Sequence, residues 1–516
     1  MKRQLYVLIT LLMAASMILT ACATAPTVAP ATSAPATSAP ATAAPTTAAP
    51  MTAAPATAAP AAAATATAAP TVAPTPTVVP TVMSGGEGCA SNAPKITWFV
   101  GLGGGTDPAV IPQEKAWVDK YNKSQTYACL ILQVVHNPES YDALRAMIAA
   151  GDPPDIVGPV GKLGRENFRG GWADITPLAA ANSFSLAGYD PALLNFLKDN
   201  GIQIGLPFAL FPGVIFYNKA LFDEAKLPYP PHKIGDLYQG KPWTWDALTE
   251  LAKKLTVDKN GNDATMAAFD NKNITQFGMW MGFTGGRRMT APYGGAVPYV
   301  GTDYTTAVIP QQWKDEWTWY YNGIWAKDAF MPNNDYASSA AFGSGNPFSS
   351  GNTAMTWTLT WYTCCFDMAK INWDMAVVPP VNGTLTAGID GDTFSIPAGS
   401  KNQTLAFKVM KDMVMDADLG PIYGGIPGNT ALRQAFFDGM KAKSGSNTVD
   451  WNVALAMLPY PDIPHHEAWM PNMSKSESAI DAFYNKMSTT SGLDLNAEFG
   501  KLQDALTALY KAAPSQ

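Results

Sequence analysis

The chain has 516 residues, a net charge of -7 and a hydrophobic share of 47%, a length beyond one ordinary core, so two lobes or domains are expected. Lys2 and Arg3 are the only charged residues before Glu87. The remainder is therefore more acidic still, which argues against a nucleic-acid partner, since that binding needs basic patches. All 15 Trp lie from Trp98 onward, a supply suited to a core and to stacking on flat, apolar-faced solutes.

Met1-Lys2-Arg3 and the uncharged apolar run Leu5–Leu19 read as a cleaved signal rather than a spanning helix. Leu19-Thr20-Ala21-Cys22 resembles the bacterial lipobox. The resemblance implies a signal peptide over 1–21, lipid on the sulfur and amine of Cys22, and an extracytoplasmic protein tethered to the cell membrane. Residues 22–86 then form an Ala/Thr/Pro-rich linker, with Pro at every fifth position from Pro30 to Pro60. It is too poor in apolar bulk to build a core and is expected to be disordered. Extended at ~3.1 Å per residue, residues 23–83 would reach at most about 190 Å and let a globular head stand off the membrane.

The folded region is expected over 87–516. Lys95–Val100 is a β-run, Gly101–Pro108 a Gly-rich loop, Pro108–Asn122 a helix with Ala116, Val118 and Tyr121 among charges, and Cys129–Val135 a second β-run. This is a βαβ unit. Its loop does not fit G-x-G-x-x-G and no acidic ribose partner follows, so no dinucleotide cofactor is expected. Gly103 and Gly104 could still present backbone N–H groups to a ligand oxygen. Tyr141–Ala150 reads as a helix closed by Gly151-Asp152-Pro153-Pro154, Asp155–Val157 as a strand, and Gly158–Lys162 as a second candidate ligand loop. Gly213–Phe222 reads as a strand entering a short helix. Gly351-Asn352 is a turn signal before the alternating segment Ala354–Thr358, which delivers Trp361 and Tyr362 at a strand end.

Several segments in one order carry a resemblance. They are Ala150-Gly151-Asp152-Pro153-Pro154-Asp155-Ile156, Ile175-Thr176-Pro177-Leu178, Gly205-Leu206-Pro207-Phe208, Phe216-Tyr217-Asn218-Lys219-Ala220-Leu221-Phe222, Trp243–Leu248, Thr275–Met279, Gly351–Thr356 and Asp392–Pro397. Together, over about 95–430, they resemble the extracellular solute-binding proteins of ABC sugar importers, the family that includes maltose-binding protein. The resemblance implies an α/β, two-lobed periplasmic-binding-protein-like fold of type II with a ligand cleft between lobes. Crossovers would lie near Gly205–Pro212, Pro379–Gly383 and Gly425–Asn429. Lobe one would be about 90–207 with 383–428, and lobe two about 208–382 with 429–516. The implied function is capture of a sugar or oligosaccharide by hinge closure and delivery to permease subunits, by a monomer that is not an enzyme.

Sugars present C–H faces and a rim of hydroxyls, which aromatic faces and charged hydrogen-bonding groups suit. Trp361 stands where the resemblance places a stacking Trp after the Ala-Met strand; Trp357 and Tyr362 flank it. Asp390 and Asp392 flank Gly391 in a strand-entry turn that faces the cleft in relatives, and either could accept hydroxyl bonds. Trp280, Met281 and Phe283 occupy a segment that supplies an acid and an aromatic in maltose-binding protein. No acid stands there in this chain; Arg287-Arg288 follow instead, and Arg287 could meet an acidic sugar. Lys162, Trp469 and Arg433 complete the candidate set.

Cys89 and Cys129 open two runs expected to be neighbouring strands, and a disulfide there would contribute roughly 4 kcal/mol on the loop-entropy model. Cys364 and Cys365 are adjacent: either two thiols or, if bonded, a rigid apolar plate beside Trp361. Two other classes compete with a transport receptor. A glycoside hydrolase needs carboxylates that straddle a bond, whereas Asp390 and Asp392, at i and i+2 of a strand, share one side. A lipid-anchored adhesin or lectin shares the anchor and aromatics but needs no hinge. His465-His466-Glu467 lacks H-E-x-x-H spacing, and no metal is expected.

Overall fold

The computed structural model describes residues 82–513, apart from 109, 137–138, 190 and 200. Cys22, the signal segment and the linker up to residue 81 lie outside the described residues. One twisted sheet of eleven strands organises the chain. Its strands are β1 (Val82–Gly85), β2 (Lys95–Val100), β3 (Cys129–Val134), β4 (Ile156–Val160), β5 (Leu206–Asn218), β6 (Val257–Asp258), β7 (Ile274–Met281), β8 (Thr353–Leu359), β9 (Trp373–Ala376), β10 (Ile389–Ser395) and β11 (Ile426–Pro427). The order is β1-β3-β2-β4-β10-β5-β8-β7-β6, with β9 and β11 also pairing with β5.

The first βαβ unit forms as its alternation requires. Strands β2 and β3 pair in parallel from Lys95–Cys129 to Val100–Val134. The connecting helix, Ile111–Ser124, turns Trp117, Val118, Tyr121 and Asn122 inward, the i, i+3, i+4 spacing that puts them on one face. It starts three positions later than the sequence suggests, because Asp107 begins a turn whose carbonyl accepts from Val110 and Ile111. Trp98 meets Trp117 edge to face at 6.1 Å. Burying an apolar side chain of this size contributes about 1.5–3 kcal/mol.

Two expectations are corrected at this end. The linker does not run to residue 86 as unstructured spacer: Val82–Gly85 adds an antiparallel strand to the outer edge of β3, an edge that would otherwise leave its backbone groups unpaired. Gly158–Val160 is not loop but the second half of β4, which pairs with β10; only Gly161 separates it from the helix Lys162–Glu166. Cys89 and Cys129 are joined, with Cα atoms 5.3 Å apart.

Strand β5 governs the architecture. All thirteen of its residues are buried. Residues 206–212 pair with β10 and β11, and residues 213–218 with β8 and β9. The change of partner falls at Pro212–Gly213. Gly213 is required there: a Cβ would lie 2.1 Å from the Ala387 carbonyl oxygen, so the returning chain can approach only a glycine. The chain passes between the two halves of the sheet again over 377–388 and at β11.

Beyond the handover, β8 and β7 pair in parallel, and β8 is buried at every position, as a strand covered on both faces must be. The C-terminal helices Met473–Thr489 and Leu495–Lys511 pack on this half. Ile480 closes on Gly286, and the Trp317 indole donates to the Gly286 carbonyl at 2.9 Å, which fixes the short helix Gly285–Arg288. Among the described residues no helix is long and apolar enough to cross a membrane.

Candidate functional site

Strand β8 ends at Leu359 and passes directly into a 3₁₀ helix, Thr360–Cys364. This tight turn holds Trp361 at the strand exit, half-buried. Its indole N–H donates to Asp390 Oδ2 at 3.1 Å. The Arg288 guanidinium lies over its ring at 5.8 Å, and Phe283 approaches at 6.5 Å between centroids. Phe283 is 44% exposed and sits in left-handed backbone at φ 51, a conformation uncommon for an aromatic residue.

Asp390 projects from β10, which belongs to the other half of the sheet, and gathers three donors. Besides Trp361 these are His466 Nε2 at 3.0 Å and Arg288 Nη2 at 3.3 Å. Burial alone would raise its carboxyl, but Arg288 and His466 outweigh burial and hold it below the usual range. His466 is in turn bonded to Asp462 through Nδ1 at 2.8 Å. Burial works against its charge, yet the Asp462 and Asp390 carboxylates prevail and lift it to about 10. Its neighbour His465 goes the other way, to about 4, through burial and the adjacent His466 charge. A neutral His465 fits its bonds: Nε2–H donates to the Ile389 carbonyl at 2.8 Å and Nδ1 accepts from the Glu467 amide at 2.9 Å.

Glu467 joins the two halves. One oxygen takes Arg288 Nη2 at 2.6 Å, and the other accepts the Leu163 backbone N–H at 3.0 Å, just after β4. Asp392 lies on the β4 side, its oxygen 3.4 Å from where a Gly161 Cβ would stand. Burial and the nearby Asp390 charge push it up to about 7. Beneath it, the enclosed Arg165 donates to the Val160 and Gly391 carbonyls and to Thr393 Oγ1 at 2.8–3.1 Å, stapling β4 to β10. Tyr423 completes the rim: its hydroxyl donates to Glu114 at 2.6 Å, and its ring faces Gly104.

The structure brings together Trp361, Phe283, Asp390 and Asp392. Trp280, half-buried, meets Phe283 edge-on at 5.2 Å. Gly103 packs so closely on Pro159 and Gly161 that a Cβ would lie 2.6 Å from the Pro159 carbonyl. Lys162 is held back in an ion pair with Glu166. Trp469 stands at the edge, beneath the Arg169 guanidinium at 5.2 Å and edge-on to Tyr304. Arg433 donates to the Pro427 carbonyl at 3.2 Å and so braces β11.

Three candidates are withdrawn. Trp357 is 0% exposed in β8, its ring packed behind Gly213 and Gly388. Tyr362 is likewise enclosed, its hydroxyl donating to Asn346 at 2.5 Å. Arg287 is not free for an acidic sugar: it is buried, ion-paired with Glu477, bonded to the Ala468 carbonyl and stacked on Trp313. Arg288, Glu467, His466 and Asp462 are the residues sequence reasoning missed. The run His465-His466-Glu467 was visible only as a failed metal motif. Ligand atoms of Asp390, His465 and His466 do fall within 4.8 Å of one another, but every imidazole nitrogen has a protein partner and Arg288 adds its positive charge. That donor set fits a hydrogen-bonded cluster rather than a metal. A polar hollow of about 330 Å³ lies elsewhere, lined by Lys95, Thr97, Asp155 and Asn402. It opens at the N-terminal ends of β2 and β4, opposite the strand ends where α/β sheets bind ligands.

A large α/β sheet whose long strand changes partners midway, with a charged and aromatic cluster at the change, defines a two-lobed solute-binding architecture of type II. The family model for bacterial extracellular solute-binding proteins matches residues 106–413, and the chain belongs to that family, which is made up of binding proteins. Among solved structures, a sugar transporter protein of Rhizobium etli in an open conformation aligns with TM-score 0.59 and 17% identity, covering 81% of this chain and 100% of that one. An ABC substrate-binding protein of Listeria monocytogenes in complex with cycloalternan gives 0.58 and 19%, covering 82% and 99%. The maltose/maltodextrin-binding domain of Bdellovibrio bacteriovorus bound to maltotriose gives 0.54 and 17%, covering 80% and 99%. At these identities the likeness is one of fold. No curated protein matches the chain by sequence.

Proposed function

We propose that the protein is an extracytoplasmic receptor, lipid-anchored through Cys22, that captures a sugar or oligosaccharide between its lobes and delivers it to the permease of an ABC importer. The observation that carries this reading is the position of Trp361. An aromatic face stands at a strand exit on one half of the sheet, bonded to a carboxylate from the other half, beside Arg288 and Glu467. Such a set suits a pyranose: ring C–H groups against Trp361 and Phe283, hydroxyls to Asp390, Asp392 and Glu467. The family and the sugar ligands of the structural neighbours agree with it. Asp390 and Asp392 stand at i and i+2 of one strand, on one side, which supports binding rather than a glycosidase pair that straddles the bond. The hinge would comprise Pro212–Gly213, 377–388 and Gly425–Asn429, absorbing closure as a few backbone rotations.

The test is a calorimetric and thermal-shift screen of mono- and oligosaccharides on the mature chain. At least one sugar should bind, raise the melting temperature and quench Trp fluorescence. Trp361→Ala should abolish quenching and weaken binding at least about tenfold, near 1.4 kcal/mol, while moving the melting temperature by only a few degrees. Undiminished sugar binding in that variant would overturn the site assignment.

A further inference from the structure

Cys364 and Cys365 form a vicinal disulfide in the 3₁₀ turn that carries Trp361. In a 3₁₀ helix side chains at i and i+3 eclipse, so Cys364 stacks next to Trp361 on one face. Cys364 is exposed and Cys365 half-buried, whereas Tyr362 and Thr363 between them and Trp361 are buried. The turn is held rigid from behind. Asn346 uses both ends of its amide: Oδ1 accepts the Tyr362 hydroxyl at 2.5 Å and Nδ2 donates to the Cys365 carbonyl at 2.7 Å. The other half of the sheet comes close here, since a methyl on Gly424 would lie 3.9 Å from Thr363 Oγ1. The other half of the sheet thus comes within reach of the residue just before the pair, and Cys364, three positions after Trp361 in the 3₁₀ turn, is on its face.

We infer that the Cys364–Cys365 disulfide is itself a solute-contacting wall, an apolar, polarizable plate that extends the Trp361 face and takes the C–H side of a neighbouring sugar ring. This rests on the sugar-binding reading. Sulfur makes favourable soft contacts with apolar and aromatic groups, and a ring-closed pair spends no side-chain rotation on ordering, unlike two free thiols. The contact should favour solutes at least two rings long, with one ring on Trp361 and the next on the disulfide.

Three measurements test it on the mature chain. Peptide mapping without reduction should find the 364–365 peptide lighter by two hydrogens than its reduced form. Titration of the tightest sugar from the screen should weaken about tenfold when the protein is reduced with a phosphine, and by the same factor in the Cys364→Ser, Cys365→Ser double variant. Phosphine treatment of that variant reports the Cys89–Cys129 bond alone and should change nothing further. Because a disulfide quenches a nearby indole, reduction should also brighten Trp emission in the wild type but not in Trp361→Phe, a readout independent of sugar. A peptide carrying two free thiols, or sugar affinities within twofold before and after reduction, overturns the inference while leaving the sugar reading intact. Absence of any sugar binding in either redox form overturns the sugar reading, and this inference with it.

Discussion

Glu316 offers a test of the second half of the molecule that does not depend on ligand. It lies in the helix Gln311–Trp325, is 0% exposed, and neither carboxyl oxygen has a hydrogen-bond partner among the described residues. Burial raises its ionisation well above the ordinary carboxylate value, since a buried carboxylate without a partner is costly. The folded protein thus holds a proton on Glu316 that the unfolded chain releases above about pH 4.5. In that window the native state binds one proton more, so stability falls as pH rises, by about 1.4 kcal/mol per pH unit from this residue. The loss accumulates at that slope from pH 4.5 upward until the folded group ionises. Glu316→Gln keeps the shape of the neutral acid and removes the titration. Urea unfolding of wild type and variant across this range, followed by near-ultraviolet circular dichroism, isolates the residue because all other groups cancel in the difference. The variant should gain on the wild type by that slope until the folded group ionises. Parallel stability profiles would refute the reasoning, and so would a variant that loses ground as pH rises.

Other consequences follow from the charged cluster and the handover. His466→Gln leaves the buried Asp390 and Asp462 without their shared cation and should cost about 3–5 kcal/mol in chemical unfolding at neutral pH. Since the folded His466 is raised to about 10, its contribution is full below pH 6.5 and fades as pH rises through 10, so the gap between wild type and variant should narrow there. Glu467→Ala cuts the link from Arg288 to the Leu163 amide; small-angle scattering without sugar should show a larger radius of gyration, and an unchanged radius would remove Glu467 as a bridge. Gly213→Ala forces a methyl against the Ala387 carbonyl and should lower stability by about 2 kcal/mol or more, measured by thermal unfolding.

The sequence alone was sufficient for the local elements and for the order of recurring segments that marks the family. Strand alternation in Lys95–Val100, the Ala-Met strand ending ahead of Trp361, and the turn signals around them are encoded within a few residues of one another. Periodicity and glycine placement are local properties, so they can be read before folding. Which face a side chain takes at a strand end is not local. Trp361 and Tyr362 are adjacent, yet the 3₁₀ turn presents one and buries the other. Arg287 and Arg288 are adjacent as well, and packing of the helix Met473–Thr489 buries the first while leaving the second against Trp361. Only tertiary structure placed Glu467 between Arg288 and Leu163, which precede it by more than 170 and more than 300 residues of chain. That pairing depends on β5 changing partners at Gly213, and the handover rests on a close approach of two backbones that no stretch of sequence displays by itself.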